Sequence, residues 1–121
     1  MVIGQGTASV AAMGAAHLIE RAIAGSRVTV DWRKSSEMSG FLSDEPLEDM
    51  LLIAISQSGT TTDTNRTVDV AGSQGAWVHA IVNRRNSPLV SKSNSHLYTS
   101  DGRDVEMAVA STKAFYAQIS A

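Results

Sequence analysis

Apolar runs alternate with Ala-rich and polar stretches along this chain in a strand–helix rhythm. The clearest unit is the run Leu51-Leu52-Ile53-Ala54-Ile55, closed by the turn Ser56-Gln57-Ser58-Gly59-Thr60-Thr61. An apolar run of that length, bounded by a glycine-containing turn, predicts a buried parallel strand, and residues 61–74 after it predict a helix. Upstream, Met1-Val2-Ile3 predicts a short strand, Gly4-Gln5-Gly6 a turn and residues 7–24 a long helix. Val10, Met13, Ala16 or His17, and Ile19 or Ile23 recur at helical spacing, so they are expected on the face turned to a sheet. Gly25-Ser26 ends that helix, and the β-branched residues of 27–32 predict a second strand. Residues 36–41 predict a helical turn and 43–48 a polar loop. Further on, Trp77-Val78-His79-Ala80-Ile81-Val82 predicts a fourth strand, and 83–95 a loop with a turn near Pro88. Residues 96–99 predict a weaker fifth strand, and 110–121 a closing helix with Ser111-Thr112 as its N-cap.

Strands alternating with helices argue for an α/β fold: a parallel sheet covered on both faces, with ligands bound at the carboxyl ends of its strands. The 56–61 turn then lies where a strand ends and a helix begins. At that junction the first backbone N–H groups of the helix lack intrahelical partners and carry the positive end of its dipole, which stabilises an anion. Hydroxyls and a carboxamide stand beside them, so the turn reads as a phosphate cradle made of neutral donors.

Composition narrows the partners. A chain of 121 residues is expected to form one domain spanning 1–121. Its net charge of −2 gives no footprint for nucleic acid or an anionic membrane, so a bound phosphate must be held locally. The absence of cysteine excludes disulfides and thiolate metal sites and fits a reducing compartment. No apolar run approaches the roughly 20 residues needed to span a bilayer, and the start lacks a basic leader, so a cytoplasmic location is expected. The abrupt first strand and the apolar final helix predict a piece of a longer protein, with a natural terminus ending in a frayed helix as the alternative. His17, His79 and His96 share no spacing or carboxylate pattern, so no metal is expected. His17 reads as a structural histidine, and Arg33-Lys34 and Arg84-Arg85 read as solvated charge.

Several segments carry a resemblance. Ser56-Gln57-Ser58-Gly59-Thr60-Thr61-Thr62-Asp63-Thr64 resembles the S-Q-S-G-E-T-x-D-T signature of sugar isomerase (SIS) domains. Val109-Ala110-Ser111-Thr112-Lys113-Ala114-Phe115 is similar to a V-A-S-T-K-A-F segment of the glutamine:fructose-6-phosphate aminotransferase (glucosamine-6-phosphate synthase) family, in its first isomerase domain. Gly6-Thr7 stands at the G-T-S turn after the first strand, Ser36-Glu37 at an S-E after the second, and Glu106 at an acidic position before V-A-S-T-K. The resemblance covers essentially the whole chain. It implies a three-layer α/β/α fold with a five-stranded parallel sheet, flavodoxin-like or Rossmann-like, that binds a phosphosugar such as fructose 6-phosphate or glucosamine 6-phosphate. It also implies that Ser56, Gln57, Ser58 and Thr61 surround the phosphate, while the Val109 backbone and Ser111 approach the sugar. No cofactor is implied, and a homodimer or pairing with a second SIS domain is. The proton-moving residues of the family lie mainly in a second domain and a C-terminal tail, so this chain is expected to bind rather than catalyse and no catalytic residue is assigned. Ala8 stands where the family has the serine of G-T-S, and Thr60 where it has glutamate. Loss of one phosphate-binding hydroxyl is worth about 1 kcal/mol.

Other readings remain beside this one. A non-catalytic phosphosugar sensor of a regulatory protein would share the domain, although no helix-turn-helix or basic arm is present in the sequence. A dinucleotide site would use Gly4-Gln5-Gly6 and Asp31, but Ser9 occupies the place of the third glycine. A purely structural dimerisation module is the third.

Overall fold

The computed structural model describes residues 1–40, 46–100 and 112–121. Its core is a five-stranded parallel sheet of β1 (Val2–Gly4), β2 (Trp32–Lys34), β3 (Leu51–Ser56), β4 (Trp77–Val82) and β5 (Ser95–Tyr98). The spatial order is β2-β1-β3-β4-β5. Such an order reverses direction between β1 and β3, and in open α/β sheets the crevice at that switch point is the habitual ligand site. Helices α1 (Thr7–Ala22) and α5 (Thr112–Ser120) pack together on one face, while α2 (Ser35–Met38), α3 (Thr62–Ser73) and α4 (Pro88–Lys92) lie on the other. The predicted three-layer α/β/α class is the observed one.

Alternation along the strands fills the two layers. Leu52 and Ala54 of β3 and Val78 and Ala80 of β4 join Val68, Ala71 and Leu89 under α3 and α4. Ile55 and the half-buried Ile53 and Ile81 face the other way, with Val2 and the alanines of α1. Leu51 and Trp77 pair in register at the lower edge, and Leu97 pairs with Ile81; all three remain exposed.

Helix α1 turns a different face to the sheet from the one its large apolar residues predict. Ala8, Ser9, Ala11, Ala12 and Ala16 are buried, whereas Val10, Met13, His17 and Leu18 are exposed. Small side chains let the helix approach the sheet closely, and that packing outweighs the burial of Val10 and Met13. At its start a Cβ on Gly4 would lie 2.3 Å from the Ala8 carbonyl oxygen, so the strand-to-helix turn requires glycine there.

The second strand also differs from the expectation of 27–32. Only Trp32–Lys34 pairs with β1, in the register Val2↔Trp32 to Gly4↔Lys34. Val28 is 67% exposed in the connection, because β1 pairs over just three residues and its register selects the next three. Residues 83–95, expected to be mostly loop, include α4, which opens on Pro88 at a position where the missing N–H costs nothing. The remaining elements fall within one or two residues of expectation where they are described. The expected helical turn at 36–41 forms as Ser35–Met38, with Phe41 outside the described residues, as are residues 43–45 of the expected loop at 43–48.

Candidate functional site

The 56–61 turn joins β3 to α3 at the switch point, beside the turn that joins β1 to α1. Two helices, of 16 and 12 residues, thus begin at the adjoining strand ends of the switch point. Ser56, Gln57, Ser58 and Thr61 are brought together on this turn. Val109 and Ser111, and Glu106, lie outside the described residues.

Hydrogen bonding in the turn has a simple sense. The Gln57 carbonyl accepts from the backbone N–H groups of Asn83 (3.3 Å) and Arg84 (3.1 Å). The Gly59 carbonyl accepts from the Leu89 N–H (3.2 Å) and from Asn65 Nδ2 (3.1 Å). The Thr61 carbonyl accepts from the Asn65 N–H (3.0 Å) and again from Asn65 Nδ2 (3.0 Å). Three alternate carbonyls therefore point into the body of the domain. In a trans peptide the C=O and the following N–H point opposite ways, so the amides of Ser58, Thr60 and Thr62 are directed away from it. Backbone amides directed that way at a helix N-terminus suit an anion.

The side chains continue the pattern. Ser56 is buried, and its Oγ accepts the Gly59 N–H at 3.0 Å, closing the turn from inside. Ser58 Oγ accepts the Thr60 N–H at 3.2 Å and the Thr60 hydroxyl at 2.9 Å, so its own proton is left to donate outward. Gly59 has φ +65, and a Cβ there would stand 2.1 Å from Ser87 Oγ. Beside the turn, Asn65 Oδ1 and Ser87 Oγ are buried without a hydrogen-bond partner among the described residues. Each buried atom of this kind is uncommon in a folded protein and marks a place where shape was kept at a cost.

Positive charge lies at the surface: among the described residues every Lys and Arg is exposed. Arg84 follows β4 with its backbone on Gln57, while the Arg85 guanidinium sits 4.6 Å from the centre of the Tyr98 ring. Glu37 pairs with Lys34 at 3.6 Å in the open. The Ser36 N–H donates to Gln5 Oε1 at 3.2 Å, tying the β1 turn to α2. Ser9, next to Ala8, gives its hydroxyl to the Gly6 carbonyl at 2.7 Å and so does not replace the hydroxyl missing at Ala8. Asp31 lies before β2, at the opposite edge from the crevice, bonding the Trp32 N–H and pairing with Arg33. That placement removes it from any ribose-binding role. His17 is exposed on α1, 3.8 Å from Glu20, and is not the enclosed structural histidine expected. His79 Nδ1 lies 2.7 Å from Ser95 Oγ, away from the turn, and burial lowers its pKa, with His96 a second cause. No group of three metal-ligating side chains occurs among the described residues.

The SIS domain family model matches residues 1–121. This chain belongs to the SIS domain family. It is 40% identical over 120 residues to the isomerizing glutamine–fructose-6-phosphate aminotransferase of Symbiobacterium thermophilum, an alignment covering 98% of this chain and 18% of that protein. The chain thus spans about a fifth of the length of the curated relatives it matches. Among solved structures, the C-terminal domain of glucosamine-fructose-6-phosphate aminotransferase from Francisella tularensis superposes with a TM-score of 0.82 at 33% identity, over 97% of this SIS domain and 32% of that chain. The Vibrio vulnificus NanR protein complexed with ManNAc-6P shares the fold at 20% identity and a TM-score of 0.71, over 98% of this chain and 42% of NanR. No described helix is long and apolar enough to cross a membrane.

Sequence reasoning found the turn but missed what supports it. Asn65 sits one turn into α3, a position where asparagine is a poor helix former, and that oddity was the available signal. Ser35 and Thr64 join α2 to α3 by a buried 3.0 Å hydroxyl pair, which no local pattern announces.

Proposed function

We propose that this SIS domain binds a phosphorylated sugar, with its phosphate in the 56–61 turn. The observation that carries the reading is the alternate burial of the Gln57, Gly59 and Thr61 carbonyls, which leaves amides and hydroxyls facing the crevice at the head of α3. Ser56, Ser58 and Thr61 donate hydroxyl hydrogen bonds to the phosphate, Gln57 adds its carboxamide, and Ser111 with the Val109 backbone orients the sugar. The 40% identity to an aminotransferase supports fructose 6-phosphate or glucosamine 6-phosphate as the ligand, within a glucosamine-6-phosphate synthase type of protein in amino sugar biosynthesis. There it would work as a homodimer or beside a second SIS domain, in the cytoplasm. A phosphosugar-sensing role would use the same cradle.

The test is thermal denaturation with fructose 6-phosphate, glucosamine 6-phosphate and the unphosphorylated sugars at equal concentration. A ligand at about ten times its dissociation constant stabilises the domain by about 1.4 kcal/mol, a shift of several degrees. Shifts from the phosphorylated sugars alone support the reading, and Ser58→Ala should diminish them. No shift at millimolar ligand refutes it.

A further inference from the structure

We propose that Asn65 is the positioning residue of the anion-binding turn: one carboxamide holds the Gly59 and Thr61 carbonyls inward and so aims the Thr60 and Thr62 amides at the crevice. The inference rests on the phosphosugar reading above and assigns it a residue that touches no ligand.

The geometry is specific. Asn65 is 8% exposed, and its Nδ2 bridges the two carbonyls at 3.1 and 3.0 Å, on either side of Thr60. The opposite orientation of the carboxamide would set Oδ1 against both oxygens, so the hydrogen-bond pattern admits only this one. Each carbonyl already has a backbone donor, Leu89 N–H for Gly59 and Asn65 N–H for Thr61. Satisfaction of the carbonyls therefore does not require the side chain. What the carboxamide adds is orientation, because a second donor fixes the direction of a peptide plane that one donor leaves free to tilt. That orientation passes outward through covalent geometry. The Gly59 carbonyl is rigidly opposed to the Thr60 N–H, which donates to Ser58 Oγ at 3.2 Å and helps turn the Ser58 proton outward. The Thr61 carbonyl is opposed in the same way to the Thr62 N–H, the first amide of α3. Asn65 Oδ1 remains buried and unpartnered among the described residues. A side chain chosen for stability alone would not leave that acceptor unsatisfied, whereas one chosen for its donor group would.

Asn65→Leu keeps the branching of the side chain with somewhat larger methyl groups, removes both donors and also removes the unpartnered oxygen, so the domain should remain folded. Asn65→Asp replaces the donor by an oxygen facing two carbonyls. Its carboxyl is expected to titrate above the ordinary range, and its protonated form regains one donor. Two measurements on the full chain decide the matter. In ¹⁵N NMR of the unliganded protein, the Thr60 and Thr62 amide signals should move in Asn65→Leu, together with faster hydrogen exchange, while strand amides stay in place. In titrations with fructose 6-phosphate near pH 7.5, both variants should bind about tenfold more weakly than wild type. The Asn65→Asp deficit, taken as a ratio to wild type at each pH, should shrink as pH falls to about 5.5, a ratio in which the ligand's own phosphate ionisation near pH 6 cancels. Unmoved Thr60 and Thr62 signals overturn the proposal, as does affinity within about twofold of wild type in a folded Asn65→Leu. Should wild type bind no phosphosugar, the binding reading falls, and the two amide signals alone still judge whether Asn65 positions the turn.

Discussion

Replacing Gly59 by alanine should lower stability by about 2–4 kcal/mol, through two separable costs. The first is conformational: φ is +65 at Gly59, and an L-residue held there loses about 1–2 kcal/mol. The second is steric. The new Cβ would lie 2.1 Å from Ser87 Oγ, 2.6 Å from Ser87 Cβ and 3.1 Å from Val82 Cγ2. Ser87 is buried, and its carbonyl is held by the N–H groups of Val90 at 3.0 Å and Ser91 at 3.4 Å, so it cannot retreat freely. Overpacking of that kind costs about 1–3 kcal/mol, offset by roughly 0.4–1 kcal/mol from the stiffer unfolded chain. For a domain of this size the net loss corresponds to a fall in melting temperature of roughly 8–15 °C. Urea denaturation of Gly59→Ala in wild-type, Ser87→Ala and Ser87→Gly backgrounds separates the costs. Ser87→Ala removes the nearest atom, and Ser87→Gly removes both, leaving chiefly the conformational cost of about 1–2 kcal/mol. Ser87→Ala alone should be nearly neutral, since it deletes a buried hydroxyl that meets no partner. Equal losses from Gly59→Ala in all three backgrounds, or a loss below about 0.5 kcal/mol in the wild-type background, would refute the steric account.

Thr64→Val should cost about 1–3 kcal/mol in urea denaturation, because it strips the buried Ser35 hydroxyl of its 3.0 Å partner, and the double change with Ser35→Ala should recover much of it. Burial, with His96 second, holds His79 below the ordinary 6.5, so the unfolded chain takes up a proton before the folded one does. Its contribution to stability is therefore complete above pH 6.5 and is lost as pH falls from there through the lower folded pKa. His79→Asn should flatten that part of a stability–pH curve, and an unchanged curve would dismiss the effect. Incubated with fructose 6-phosphate and ammonia, the chain alone should form little product, because hydroxyls and a carboxamide do not exchange protons near neutral pH as a general base must. Robust turnover, followed by amino sugar formation, would show a base that the turn does not contain.

Legibility followed the range of the interactions. The β3 run and its turn were plain in the sequence because both signals are local: a continuous apolar stretch and a glycine that must adopt φ +65. The face of α1 was not, since periodicity marks where large residues recur, whereas the sheet selected Ala8, Ala11, Ala12 and Ala16 for close approach. β2 was displaced for a related reason. Strand propensity is present at Val28, Thr29 and Val30, but pairing depends on register with a three-residue neighbour, which is a tertiary fact. The candidate site divides in the same manner. Its hydroxyls could be read directly, while Asn65, Ser87 and the Ser35–Thr64 pair act across 4 to 29 positions of sequence or through packing against Gly59.

On the proposed phosphosugar reading, the arrangement of the turn also explains how neutral donors would suffice in a chain of net charge −2. A carbonyl facing a phosphate repels it as surely as an amide attracts it, so the potential at the crevice depends on which peptide planes are reversed as much as on how many donors are present. Holding the carbonyls of Gln57, Gly59 and Thr61 on the Asn83 and Arg84 amides, α4 and Asn65 turns three alternate carbonyls away from the crevice without burying a cation among the described residues. A buried Lys or Arg would attract the anion more strongly, but it would carry a desolvation cost whenever the site stood empty. Amides and hydroxyls carry little of that cost, and their selectivity comes from geometry fixed before the ligand arrives. On that reading the recognition strength of the turn resides largely in the backbone direction at three residues, and substitutions that tilt those planes should weaken anion binding even where every hydroxyl of the turn is retained.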